Sequence, residues 1–345
     1  MNNESKNLSM GGARIIYLDV LRFFATIAVI ILHVATTDFE QPLFSYNWYL
    51  SVIQSGIVRW AVPVFVMISG TLFLSSERDI TVSEIYKKRI PRLLIAYFFW
   101  WFLYAFVRVL SDILMNGSAI QWWQFKLPAF HLWFLPILAG VYALIPFLRR
   151  IASDEKFVKY GLIIWTIYLA GSFLLVKGTP QVTQVFNMNV VLAYSGYFLF
   201  GYSLSICTIT NRQRIVVYFI GFLGACITIG GTIAVSLYTE SANIKFLNTT
   251  GLHVAMMASA VFVYIKEHAQ TISKSMACLI DYVRKDLFGI YLTHVLWLML
   301  LCKEGVLDIT NHAITILLIS LVIFVLSLYT TKLIRKIPLL RKVVE

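Results

Sequence analysis

Runs of about 20 apolar residues recur along this chain between short polar stretches, and a helix of that length crosses a hydrocarbon core of about 30 Å. Ten such segments stand out, at 14–36, 48–75, 90–111, 131–148, 159–177, 190–209, 214–238, 246–265, 287–303 and 312–334. The pattern predicts an all-α fold, a polytopic membrane helical bundle of about ten transmembrane helices. It divides into a polar tail over 1–13, a single membrane domain over 14–336 and a basic tail over 337–345. Kinks are expected near Pro63, Pro136 and Pro146, because a proline ring removes a backbone donor. The first 13 residues lack an apolar run, so no cleavable signal peptide is expected.

Composition removes the soluble alternatives. Of the residues, 59% are apolar or aromatic and 13% charged. Soluble domains hold about 45–50% and 25%, and such an excess does not fit inside a wetted core of this size. The net charge of +12 raises nucleic acid as a partner, but its distribution gives another origin. With the N-terminus in the cytoplasm, 22 of the 29 Lys and Arg residues fall in the inner segments, and the outer loops hold only Lys126, Lys177 and Lys245. This asymmetry places both termini in the cytoplasm, supports an even number of spans, and needs a lipid bilayer, not nucleic acid. Trp48, Tyr49, Trp122, Trp123 and Trp133 crowd the expected interfaces as an aromatic belt. Cys207, Cys226, Cys278 and Cys302 lie far apart with no CxxC pair, so they read as small apolar helix residues. The chain is expected in the cell (inner or plasma) membrane as a multi-pass protein; a homo-oligomer is left open.

Ionisable groups inside a membrane are costly, so each is a candidate for function. The first segment has Asp19, Arg22 and His33. Arg22 and His33 are eleven residues apart, about 20° from the same direction and about 16.5 Å along the axis, so they share a face. Asp19 is three residues before Arg22 and can pair with it. The same three groups fit a packing ion pair plus a satisfied histidine, or a polar pathway through the bundle. His131 opens the fourth segment level with His33, and Arg59 in the second segment is expected to face the interior. His294 and His253 lie within the ninth and eighth segments, where an isolated histidine is more often a packing residue. Metal-site spacings, phosphate-binding glycine loops and a GxSxG elbow are all lacking, so no metal and no serine triad is expected. Ser69-Gly70 reads as a close helix approach. On these grounds a transporter or exporter of a polysaccharide or small polar solute fits as well as an enzyme.

The motifs go further. Arg22, ten residues and His33, within YLDVLRFFATIAVIILH, resemble the first-helix signature of the acyltransferase-3 family of integral membrane proteins, with Asp19 in its usual place. PVFVMISGTLF at 63–73, RIPRLLIAY at 89–97, HLWFL at 131–135, GYFLFGYSL at 196–204 and GIYLTH at 289–294 follow in family order. The chain is similar to stand-alone bacterial sugar O-acetyltransferases of surface glycans. The resemblance implies transfer of an acyl group, usually acetyl, from cytoplasmic acyl-coenzyme A to a hydroxyl of a cell-surface or lipid-linked glycan. It implies Arg22 and His33 as the essential pair, with Asp19 beside them and His33 as general base. It supports His131 and His294 more weakly. Arg89 and Arg92, with Lys87 and Lys88 beside them, are expected to meet the donor's phosphates, and His294 is grouped with them. His131, Trp133 and Arg59 are expected on the acceptor side.

Overall fold

The computed structural model describes residues 15–37, 42–75, 80–116, 129–175, 188–303 and 312–344. The tail over 1–13 and Trp122, Trp123, Lys126 and Lys177 lie outside the described residues. In chain order the helices are α1 (Ile16–Thr37), α2 (Tyr46–Ile57), α3 (Ala61–Leu74), a single turn α4 (Val82–Glu84), α5 (Ile90–Asn116), α6 (Phe134–Ala143) and α7 (Ile145–Ala152). There follow α8 (Glu155–Leu175), α9 (Met188–Ile206), α10 (Asn211–Thr239), α11 (Leu252–His268), α12 (Lys274–Val283), α13 (Leu287–Lys303), α14 (His312–Arg335) and α15 (Pro338–Arg341). No strand occurs among the described residues. Each predicted segment falls on one of these helices or on a consecutive pair.

Six helical stretches are long and apolar enough to cross a membrane, and the α6–α7 pair, bent by 56°, makes a seventh if it is one span. The other predicted spans hold α8, α9 and α13, of which α13 is a shorter apolar helix. The expected kink near Pro146 is present as the 56° bend between α6 and α7, and each of the three prolines sits near the start of a helix. Pro63, Pro136 and Pro146 lie in the first turns of α3, α6 and α7, where a missing N–H breaks no helical hydrogen bond. The second segment therefore breaks over 58–60, and Arg59 sits in that break, outside both flanking helices.

Helix α1 runs through the middle and packs on α2, α3, α11, α13 and α14. Beside it α3 and α9 approach closely. A Cβ on Gly70 would lie 1.8 Å from the Phe198 carbonyl oxygen, and one on Gly201 would lie 2.2 Å from that of Met67. The Thr71 hydroxyl donates across the gap to the Gly201 carbonyl at 3.1 Å. Gly70→Ala is expected to force the two backbones apart and cost about 3 kcal/mol, the upper end for overpacking. A thermal melt of the detergent-purified variant checks this; an unchanged midpoint would remove the close-approach argument.

Trp48 departs from the aromatic belt. It is wholly buried, with its ring 5.4 Å from Phe44 and 5.2 Å from Tyr49. The basic tail is also anchored: Val343 and Val344 are buried, and the Trp100 indole donates to the Val343 carbonyl at 2.9 Å. Arg335 at the end of α14 pairs with Asp286 just before α13. Cys207, Cys226 and Cys278 are unpaired and exposed on the outer surfaces of the bundle.

Candidate active site

Three predicted histidines from three distant parts of the chain meet in one place. His33 comes from the last turns of α1, His131 from the 3-10 turn Phe130–Trp133 that leads into α6, and His294 from the middle of α13. The His33 and His294 rings stack, 5.0 Å between centroids and 8° between planes, with His33 Nδ1 2.7 Å from His294 Nε2. The His131 ring stands edge-on, 5.0 Å from His294 and 6.3 Å from His33. Among the described residues no three His, Cys, Asp or Glu side chains are arranged to hold a metal ion.

The hydrogen bonds fix which nitrogens carry protons. His294 Nδ1 lies 2.6 Å from the Tyr291 carbonyl oxygen. A carbonyl only accepts, so Nδ1 is protonated and, in a neutral ring, His294 Nε2 is the acceptor. The bond to His33 is then made by His33 Nδ1–H. That leaves His33 Nε2 with its lone pair, on a half-buried ring that lines an internal cavity of about 260 Å³. This is the tautomer a general base needs, set by a neighbour on another helix.

Arg59, His131, Trp133, Thr249 and Tyr291 share that cavity with His33. The break between α2 and α3 delivers Arg59, whose buried Nε has no hydrogen-bond partner. Neither ring nitrogen of the buried His131 has one either. The Tyr291 hydroxyl instead holds the His131 backbone carbonyl at 2.5 Å, fixing the 3-10 turn. Thr249 is held by Tyr194, hydroxyl to hydroxyl, at 2.7 Å. Arg59 and His131 are thus cavity-lining polar groups with hydrogen-bonding capacity to spare. A buried donor left unmade is costly, so water or a ligand in the cavity is needed to complete the bonding of such groups.

Arg22 does not line this cavity. It pairs with Asp19 at 3.1 Å, while the Thr26 hydroxyl donates to its carbonyl at 2.8 Å. Arg22, Arg89 and Arg92 instead lie within electrostatic reach of the Tyr142 hydroxyl. Arg89 ends a π-helical turn, Ile85–Arg89, that joins α4 to α5. It sends Nε at 3.0 Å and Nη2 at 2.6 Å to one Glu84 oxygen and lies over the Phe73 ring. Lys87, Lys88 and Arg92 are exposed beside it. The two groups of polar residues are joined along α3. The Ser69 hydroxyl is 3.3 Å from that of Tyr142 and donates to the Phe65 carbonyl at 3.2 Å, and Phe65 lines the histidine cavity.

His253 and His268 bond to nearby backbone away from this cavity. His253 Nε2 caps the turn before its own helix through the Phe246 carbonyl at 2.8 Å. His268 Nδ1 bonds one turn back, to the Tyr264 carbonyl, at 2.9 Å. His294, grouped by resemblance with the donor-binding residues, stands with His33 and away from Lys88, Arg89 and Arg92. Thr249, Tyr291 and Tyr142 were not singled out in the sequence. Tyr291 alone left a signal, as the residue one turn before His294 within GIYLTH.

The polytopic helical bundle thus places a hydrogen-bonded histidine pair at the edge of an internal cavity. The comparison with protein families gives that build its name. The acyltransferase domain of the Acyl_transf_3 family matches residues 15–332, so the chain belongs to the acyltransferase-3 family and is a multi-pass membrane acyltransferase. Neither the curated proteins nor the solved structures compared with the chain include a match.

Proposed function

We propose that this acyltransferase moves an acyl group, acetyl in the first instance, from cytoplasmic acyl-coenzyme A to a hydroxyl of a cell-surface or lipid-linked glycan. The observation that carries the reading is the His33–His294 hydrogen bond, which presents His33 Nε2 as a lone-pair base in a cavity. The acceptor oxygen attacks the thioester carbonyl carbon while its proton passes to His33 Nε2. The C–S bond then breaks, and the proton moves from His33 to the departing thiolate, leaving free coenzyme A and an ester. Arg59 offers a guanidinium where negative charge develops on the carbonyl oxygen. Trp133 gives the acceptor an aromatic wall.

The donor enters at the other group of residues. Lys87, Lys88 and Arg92 are exposed cations suited to phosphates, and Arg89 is fixed by Glu84 as their inner edge. Arg22, about 16.5 Å along α1 from His33, stands where the pantetheine arm passes. Asp19 holds it there. The route along Tyr142, Ser69 and Phe65 supports this path because it joins the cations to the cavity.

The reading is tested with the full chain reconstituted in vesicles, acyl-labelled coenzyme A outside the orientation barrier and lipid-linked glycan as acceptor. Label is expected in an alkali-labile ester on the glycan, in step with release of free thiol. Movement of unmodified glycan across the vesicle without thiol release would support the exporter reading instead.

A further inference from the structure

Five cations gather at the end of α14 that the Lys and Arg excess places in the cytoplasm. Lys332 and Arg335 come from the last turn of α14, Lys336 follows it, Arg341 comes from α15, and Lys285 precedes α13. They surround an open hollow of about 380 Å³. One carboxylate, Asp286, lines it with them; its side chain is only 2% exposed and is held by Arg335. Three lysines, Lys285, Lys332 and Lys336, stand on the rim besides these, and Asp286 is the one carboxylate among the described lining residues.

The rim is also pre-shaped. The Lys332 ammonium lies 3.1 Å from the centroid of the Tyr282 ring, so a normally flexible side chain is held over an aromatic face. Lys285 and Lys336 are exposed, with long side chains able to close on a ligand. Like charges gathered this closely raise one another's energy, and an anion seated among them reverses that sign. Phosphate oxygens accept several such donors at once.

The outer faces of the same helices are apolar. Leu333, Ile337 and Leu339 are 62%, 49% and 81% exposed beside the hollow. Water is a poor neighbour for such a patch, and acyl chains are a good one. A basic hollow edged by apolar side chains at the end of a spanning helix matches the depth of a lipid headgroup over its own chains.

We propose that this hollow is a phosphate-binding site that seats the headgroup phosphate of an anionic phospholipid. The site lies apart from the arginines of the acyl-donor reading and does not rest on acyl transfer. The same phosphate chemistry is carried by the nucleotide end of coenzyme A, so the test separates the two sources.

The full chain is placed in phosphatidylcholine nanodiscs with and without phosphatidylglycerol, and retained lipid is counted by native mass spectrometry. The wild type is expected to keep phosphatidylglycerol in preference to phosphatidylcholine. The surface double variant Lys285→Gln/Lys336→Gln is expected to lose that preference roughly thirtyfold, about fivefold for each lysine removed from an anionic surface. The double variant Lys156→Gln/Arg212→Gln removes equal charge from exposed positions elsewhere and is expected to keep it. No preference in the wild type, or equal loss in both double variants, overturns the site. Adenosine bisphosphate is then added as competitor. Failure to displace the phosphatidylglycerol supports the lipid, whereas displacement that depends on Lys285 and Lys336 overturns the lipid assignment in favour of the donor.

Discussion

His33→Ala is expected to lower acyl transfer by a factor of about 10²–10⁴ while leaving the purified protein monodisperse and its melt nearly unchanged. A sugar hydroxyl is a weak nucleophile and must shed its proton as the new bond forms. His33 lines the cavity with a ring nitrogen whose partner geometry makes it a lone pair, and His131, 6.3 Å away between centroids, has no hydrogen bond to His33 by which to replace it. The folded state loses less. His33 is half-buried at the cavity edge, and its deletion enlarges an existing space instead of opening a sealed one. The measurement is initial-rate transfer from labelled acyl-coenzyme A, with size-exclusion and melting profiles alongside. Full activity in a well-folded His33→Ala protein would end the general-base assignment. Loss of both activity and a monodisperse profile would show His33 to be structural.

The helices were legible because each apolar run falls on one helix or a consecutive pair, and period and length act locally. The proline positions were legible, and so was the bend near Pro146; the way the chain breaks there was not. Pro63 and Pro146 start helices, since a turn before each supplies the break, and only backbone geometry reveals that. The face shared by Arg22 and His33 followed from helical angle alone. Their division between two groups did not, because it depends on what the neighbours bring: Arg22 pairs with Asp19 within reach of Tyr142, while the 3-10 turn and α13 bring His131 and His294 to His33. His33 and His294 are 261 residues apart in sequence, and no periodicity links them. Gly70 was legible as a place of close approach, but its partner, the Phe198 carbonyl in α9, was not. Thr249 carries no signal at all, being one of two threonines in a loop. Trp48 misled because tryptophan suits an interface and a core equally well.

The contact between His294 and His33 gives His294 a candidate role beside donor binding, and its variants give the second large effect. If the Tyr291 carbonyl fixes the His294 proton on Nδ1, and His294 Nε2 fixes the His33 proton on Nδ1, then removing His294 frees His33 to place its proton on Nε2, where it blocks the base. His294→Leu fills most of the space without accepting a hydrogen bond. It is expected to lower kcat by about 10²-fold, within the range for disabled acid–base catalysis, with KM for acyl-coenzyme A little changed. His294→Gln places an amide oxygen near the position of Nε2 and is expected to recover a good part of that loss. A purely packing role predicts the reverse order, with leucine active and glutamine impaired, because an apolar site tolerates the apolar replacement. A role in holding the donor predicts a raised KM with kcat preserved. The comparison of kcat and KM across the wild type and both variants therefore separates tautomer control from packing and from donor binding, and a fully active leucine variant would leave the Tyr291–His294–His33 chain without a part in the reaction.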